Sequence, residues 1–210
     1  MSRADWILDV KGGETVIYRF MFRGYADGDC MLRQQPEYRN AALFSHGKQL
    51  FLYYESDRED APPEGIADIG LKAYPDGRKW ERMMDIFHYA KPLNEEQWKR
   101  RHSQRKPCLS IAYLRPEMVA SYVYYHYQFQ EEYPRKMNNK FSMIFLLENQ
   151  IVMYGEDPGD ADKDFYPGVL TTSQHPKEGW PELMNPHFLP WPDFQGFFLP
   201  VQTEQYHLSD

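Results

Sequence analysis

Several segments of the chain alternate between two kinds of residue with a period of two, which places successive side chains on opposite faces of a β-strand. The longest such segment is 121–132. One face of the predicted strand carries Tyr122, Tyr124, His126, Gln128 and Gln130, and the other carries Val123, Tyr125, Tyr127 and Phe129. Aromatic residues favour strands. This pattern therefore predicts a long strand with one polar-aromatic face, which carries His126, and one more apolar face, which carries Val123.

The same patterning predicts the other elements. Alternation indicates a strand over 15–25, hairpins over 38–55 and 140–154, and strands over 108–114 and 194–201. Helical spacing of apolar residues predicts a helix over 78–90, and Asn94 is a suitable cap for a second, short helix. Segment 176–188 is typical of a helix interrupted by proline.

The element order repeats when the sequence is shifted by about one hundred residues, which aligns Trp80 with Trp180 and Tyr54 with Tyr154. The repeat predicts an α+β protein of two tandem βββαβ units. They span 15–117, with an extra helix at 94–104, and 118–201. An arm at 1–14 precedes them and a polar tail at 202–210 follows. Two such units bury their sheets by packing face to face or by closing into a barrel, with the polar-aromatic faces turned inward.

Three runs in the second unit resemble a known family. In order they are FSMIFLLENQIVMYGE at 141–156, WPELM at 180–184 and FQGFFLP at 194–200. They resemble the last two-thirds of L-rhamnose mutarotase and its ferredoxin-like relatives. This resemblance implies two ferredoxin-like repeats in an intrachain dimeric α/β-barrel-like arrangement. It also implies a mutarotase or isomerase acting on a sugar or sugar acid in a pocket between the repeats.

The chain departs from this family at one point. The family places a helix after its first strand, and a Tyr and a His four residues apart on that helix act on the sugar. Segments 26–37 and 133–139 are too short or too broken by Pro and Gly to form it. Trp98 and His102 share the spacing but precede a different strand, so the resemblance gives them no catalytic role.

The net charge and the distribution of apolar residues indicate which classes of binding partner to expect. The formal charge of −7 among 210 residues argues against a nucleic-acid surface. No apolar run reaches the length of a membrane span and no signal-peptide pattern begins the chain, so we expect a cytoplasmic protein without a membrane partner. Cys30 and Cys108 are expected to be free thiols.

Mutarotation requires an acid and a base that act on a held sugar. His126 is the predicted proton carrier, because an imidazole titrates near neutral pH. The predicted ligand-binding residues are Arg19, Arg23, Tyr54, Glu55, Tyr122, Tyr124 and Gln128. Two other interpretations stay open: His126 as an ordinary interior histidine, and both arginines paired with Glu55 or another interior acid.

Three functions fit these residues: a sugar mutarotase, a non-catalytic small-ligand-binding protein of the same fold, and a haem- or oxygen-handling barrel with His126 as ligand. The first is preferred, with a small molecule such as a carbohydrate as partner and no cofactor. No metal site is predicted, because His88, His175 and His187 lack partners at ligand spacing. Whether the protein forms a homo-oligomer is left open.

Overall fold

A computed structural model describes residues 17–33, 37–67, 70–90, 94–132, 139–160, 168–170 and 179–208. Strands β1 to β10 are Tyr18–Tyr25, Asn40–His46, Gln49–Ser56, Trp80–Arg82, Met84–His88, Lys106–Tyr113, Met143–Leu147, Gln150–Asp157, Leu199–Pro200 and Gln202–Leu208. Helices α1, α2 and α3 are Glu95–Trp98, Val119–Glu132 and Trp180–Met184, and 3-10 turns cover Pro116–Met118 and Asn185–His187. None of the helices in these ranges is long and apolar enough to cross a membrane.

The strands form two antiparallel five-stranded sheets, so the protein is α+β. The strand order is β10-β2-β3-β1-β4 in sheet 1 and β5-β7-β8-β6-β9 in sheet 2. The sheets pack face to face over a layer of buried side chains, which are Met21, Ala42, Phe44, Phe51, Tyr53, Met83, Leu109, Ile111, Met143, Phe145, Val152 and Tyr154. Each of these side chains is at most 3% exposed.

Each sheet also buries its outer face. Loop residues Ala61, Ile66, Ala67 and Leu71 cover sheet 1, where Phe20 and Phe22 of β1 lie with Tyr54. Helices α2 and α3 cover sheet 2, where Tyr122 and Met184 contact Phe87 and its neighbours. The alternation in β1 is confirmed, because Phe20 and Phe22 face outward and Met21 faces the other sheet. Loops rather than helices cover the outward face.

Two extended segments pass from one sheet to the other. β4 pairs with β1 in sheet 1, and β5, beyond Met83, pairs with β7 in sheet 2. In the reverse direction, β9 pairs with β6 in sheet 2, and β10, beyond Val201, pairs with β2 in sheet 1. The strands of these segments are the edge strands of both sheets: β4 and β10 in sheet 1, and β5 and β9 in sheet 2. The strands therefore form a continuous ring, which leaves fewer unpaired strand edges than two separate sheets would.

The two sheets repeat the same pairings. β1 pairs with β3, and β6 with β8, each over their full length. In the hairpins, Tyr53 lies opposite Ala42 and Tyr154 lies opposite Met143. Each crossing segment has a register shift at the corresponding place, which is Asp85/Phe87 in β5 and Thr203/Gln205 in β10. Tyr53 and Tyr154 are thus the equivalent pair, whereas the sequence comparison had aligned Tyr54 with Tyr154.

The predicted helix over 78–90 is wrong, because this segment forms β4 and β5. Its apolar residues serve different layers: Trp80 lies in the outer core of sheet 1, Met83 lies between the sheets, and Met84 is 52% exposed. A strand that crosses between sheets and contains a bulge loses the period of two. Trp80 lies in a strand and Trp180 in helix α3, so the predicted equivalence of these residues, and with it the predicted βββαβ unit, is not observed.

The predicted strand over 121–132 is also wrong, because the segment belongs to helix α2. Only Val123 among these residues is β-branched, and the segment ends in Gln and Glu, which favour helices. The proposed tail forms strand β10, and the helix expected over 94–104 is limited to Glu95–Trp98. Of the final strand predicted over 194–201, Leu199–Pro200 is strand. The arm at 1–14 lies outside the described residues.

Gly24 permits the close contact of β1 with β4. A Cβ atom at this position would lie 2.8 Å from the Trp80 ring, whose Nε1 donates to the Ala67 carbonyl at 2.9 Å. We expect Gly24→Ala to lower the free energy of unfolding by about 1–3 kcal/mol, as overpacking usually does. Urea unfolding would measure it. Gly28→Ala, whose Cβ would meet no atom closer than 3.7 Å, is the matched control. Equal effects of both variants would contradict the prediction.

Candidate functional site

Helix α2 brings together the polar side chains that face the outer side of sheet 2. It follows β6 after the turn Pro116–Met118, where proline fits the first turn because it needs no backbone donor. Tyr122 and His126 are four residues apart, so both lie on the same face of the helix. Both side chains are buried, at 1% and 6% exposure.

The imidazole of His126 is held in a fixed orientation. Its Nδ1 lies 2.9 Å from the carbonyl oxygen of Tyr122. Because a carbonyl only accepts, Nδ1 carries the proton in the neutral ring and Nε2 carries the lone pair. The ring lies 4.0 Å from that of Tyr122 and also contacts Phe87 and Trp180, at 5.6 and 5.1 Å between centroids. His126 is therefore an oriented base among aromatic rings.

A second histidine flanks Tyr122 from the turn that follows α3. His187 Nε2 lies 2.9 Å from Ser121 Oγ, and its Nδ1 lies 3.2 Å from the carbonyl oxygen of Met184. The Ser121 hydroxyl lies between two acceptors, His187 Nε2 and the Met118 carbonyl oxygen at 3.0 Å, and its single proton can serve one of them at a time. The His187 ring is 5.9 Å from that of Tyr122. Nε2 thus joins the segment after α3 to helix α2, and Nδ1 bonds back to the end of α3.

Burial raises the pKa of Tyr122, so its phenol stays protonated at neutral pH. A protonated phenol donates a hydrogen bond to an oxygen acceptor. The cluster thus combines an oriented basic nitrogen in His126 with a neutral hydroxyl donor in Tyr122. Trp180 and Phe129, 5.2 Å apart, add flat apolar surface beside them.

Charged residues form a second cluster where β3 and β8 end. Arg100 donates from Nη1 to Glu55 Oε2 at 3.0 Å and from Nη2 to Glu156 Oε1 at 2.8 Å. Arg105 Nε lies 2.8 Å from Glu156 Oε2. The side chains of Arg100, Glu55 and Glu156 are 5%, 1% and 1% exposed. Glu55 belongs to sheet 1 and Glu156 to sheet 2, so Arg100 links the two sheets through buried ion pairs.

Two stacked tyrosines complete this charged cluster. Tyr53 donates to Glu55 at 2.7 Å and Tyr154 donates to Glu156 at 3.2 Å, and their rings are 3.7 Å apart. Burial, followed by the neighbouring carboxylates, raises the pKa of both phenols well above the ordinary range. Both phenols therefore stay protonated and remain hydrogen-bond donors at neutral pH.

The environment of Glu55 predicts how stability changes with pH. Burial alone would raise its pKa, but the charge of Arg100 and hydrogen bonds from Arg100, Tyr53 and Asn40 outweigh burial and lower it. A lowered carboxyl pKa adds stability above the unfolded-state value of about 4.3 and loses it as the pH falls through the folded-state value. We expect urea unfolding to show falling stability below about pH 5. Glu55→Gln should reduce this slope, and the exposed control Glu59→Gln should not. Equal slopes in all three proteins would contradict the prediction.

Arg23 forms a separate polar group at the hairpin end of the sheets. Its Nη1 donates to Gln150 Oε1 at 3.2 Å, and its Nη2 contacts Glu81 and Glu148 at 3.3 and 3.1 Å. Burial alone would lower the pKa of Arg23, but the hydrogen bond and charge of Glu148, with contributions from Tyr25 and Tyr74, raise it. Arg23 is thus paired with Glu81 and Glu148, whose side chains are 23% and 68% exposed, rather than with Glu55 or a fully interior acid.

The structure distributes the predicted site residues over four places. Tyr122 and His126 are together on α2, and Gln128 donates to the Tyr124 hydroxyl at 2.7 Å on the same helix. Glu55 lies in the charged cluster. Tyr54 packs on Phe20 and Phe22 outside sheet 1, and its hydroxyl donates to the Ala61 carbonyl. Arg19 and Arg23 lie on β1. None of these contacts joins His126 to Arg19 or Arg23, so the predicted site that combines the three residues is not observed.

Sequence reasoning missed Arg100, Glu156, Trp180 and His187. Glu156 had a signal: Tyr53 and Glu55 recur as Tyr154 and Glu156 with the same spacing. Arg100 had none, because its partners are 45 and 56 residues away in sequence.

Comparison with known proteins gives no relative: no protein-family model, curated protein or solved structure matches the chain. Within the described ranges, no group of three His, Cys, Asp or Glu side chains is arranged to hold a metal ion.

Proposed function

We propose that this protein exchanges the anomers of a free sugar or sugar acid, with His126 and Tyr122 as the reacting groups. The proposal is supported by where helix α2 lies in the fold and by the spacing of two of its residues. In the mutarotase family that the sequence resembles, the helix after the first strand carries a Tyr and a His four residues apart. Helix α2 follows β6, and β6 occupies in sheet 2 the position of β1 in sheet 1. It carries Tyr122 and His126 at that spacing.

The proposed reaction uses groups already described. His126 Nε2 accepts the proton of the anomeric hydroxyl while the bond between C1 and the ring oxygen breaks. The ring oxygen takes the phenol proton of Tyr122 as that bond breaks, which leaves Tyr122 as a phenolate beside the His126 imidazolium until ring closure returns both protons. The open-chain aldehyde rotates about the C1–C2 bond, and the reverse steps close the ring as the other anomer. Protons balance, and no oxidant or cofactor is needed.

The aromatic surroundings suit a sugar. Trp180 and Phe129, which are half-buried, supply flat aromatic surface for the C–H side of a pyranose, and tyrosine hydroxyls hydrogen-bond to sugar hydroxyls. The layer between the sheets is filled by twelve buried side chains. The proposal therefore moves the ligand from the interior between the repeats, where the sequence predicted it, to the aromatic cluster beside α2.

We also infer that the two halves are copies of one strand unit. Matching pairings, matching hairpins and matching register shifts in both sheets support this inference. Whether that unit is related to a ferredoxin-like repeat stays a prediction, as do the cytoplasmic location and any homo-oligomer.

Saturation-transfer NMR tests the proposed function. One anomer of L-rhamnose, L-fucose or galacturonate is irradiated, and the loss of signal from the other is measured with and without protein. We expect the protein to accelerate exchange of at least one of these sugars. Binding without acceleration would favour the non-catalytic binding protein, and neither binding nor acceleration would exclude both. A Soret band on addition of haem would favour the haem-handling alternative.

A further inference from the structure

Arg19 lies beside the charged cluster and has no carboxylate partner among the described residues. It lies on β1 directly opposite Glu55 on β3, where the side chains of neighbouring strands normally meet. The Glu55 oxygens, however, already accept hydrogen bonds from Arg100, Tyr53 and Asn40. None of the ion pairs among the described residues includes Arg19.

The guanidinium of Arg19 therefore turns to other groups. Nη2 donates to the carbonyl oxygen of Ala90 at 3.1 Å, and the guanidinium carbon lies 5.3 Å from the centre of the Trp98 ring. Nη1 is buried and donates to no acceptor in the described part of the chain. A buried donor without an acceptor is costly, and more so when it belongs to a charged group.

The charges around Arg19 also favour an anion. Arg100 pairs with Glu55 and Glu156, and Arg105 pairs with Glu156, so these two carboxylates are already matched by two cations. Arg19 is a further cation beside them. An arginine fork binds carboxylates through paired N–H donors, so an anion at Nη1 would satisfy the donor and balance the charge together.

We propose that Arg19 binds a small carboxylate anion through Nη1, at a site distinct from the cluster under α2. The site is formed by the Arg19 guanidinium between the Ala90 carbonyl and the Trp98 ring. The charge of the neighbouring Arg100 is already matched by Glu55 and Glu156, so Arg19 supplies the specific contact. This site does not depend on the proposed anomer exchange.

Acetate is the probe that tests this site. Thermal unfolding is measured with rising sodium acetate, and sodium chloride keeps the ionic strength constant. We expect the melting temperature of the wild-type protein to rise by several degrees, because an anion that binds only the folded state stabilises it by mass action. Arg19→Gln should show no rise. Arg33→Gln, which removes an exposed arginine, should behave like the wild type.

A second measurement separates binding from a structural role. Without acetate, Arg19→Gln should melt at the same temperature as the wild type or higher, because it removes an uncompensated charge. A large decrease would mean that Arg19 is held for stability, and it would overturn the proposal. An equal rise with acetate in wild type and Arg19→Gln would reveal only a general salt effect. No rise with acetate in the wild type would overturn the proposal as well.

Discussion

Replacing Arg100 with methionine should lower the free energy of unfolding by about 3–5 kcal/mol, the cost of removing one partner from a buried ion pair. Methionine fills much of the arginine stem but removes the guanidinium that binds Glu55, and it leaves Arg105 as the remaining ion-pair partner of Glu156 among the described residues. Because Arg100 connects carboxylates of both sheets, the loss also weakens their packing at this end. Urea unfolding at pH 7 would measure the change.

The neighbouring Arg101 provides the control. Its side chain is exposed, so Arg101→Met should change stability by no more than about 0.5 kcal/mol, as surface substitutions usually do. Adding Glu55→Gln to Arg100→Met should recover part of the loss, because it removes one of the stranded charges. A cost below about 1 kcal/mol for Arg100→Met would show that water reaches the cluster and screens it.

Replacing His126 with asparagine should slow anomer exchange by about one to two orders of magnitude, the low end of what general acid–base groups contribute. Asparagine lacks a basic nitrogen, but its amide can still donate to the Tyr122 carbonyl as Nδ1 does. The variant should therefore keep its fold while losing the proton acceptor. Saturation-transfer NMR on the sugar that the wild type accelerates would give the rate.

Two controls distinguish lost chemistry from lost structure. His102→Asn, at an exposed histidine outside the α2 cluster, should exchange anomers at the wild-type rate. The melting temperature of His126→Asn should stay near that of the wild type. In addition, the variant should lose the pH dependence that a titrating base gives to the rate profile. Wild-type exchange in His126→Asn would remove His126 from the reaction.

The candidate residues were partly predictable. Tyr122 and His126 stood out in the sequence because aromatic and polar residues are concentrated around them, and they do lie side by side. Their predicted element was wrong, since the same residues fit a strand by alternation and a helix by the Pro116 start and the Gln-Glu end. Packing against Phe87 and Phe188 on the outer face of sheet 2 stabilises the helix. Local propensity is too weak to decide such a case.

The sequence by itself determined both hairpins, Asn40–His46 with Gln49–Ser56 and Met143–Leu147 with Gln150–Asp157. Short turns between alternating segments are local signals, and nothing distant is needed to interpret them. Only the tertiary structure decided that β4 and β5 cross between the sheets, and that Arg100 joins Glu55 to Glu156. Those outcomes depend on contacts between residues far apart in the chain. Their free energy comes from burial and charge pairing in the assembled fold, which no short window of sequence contains.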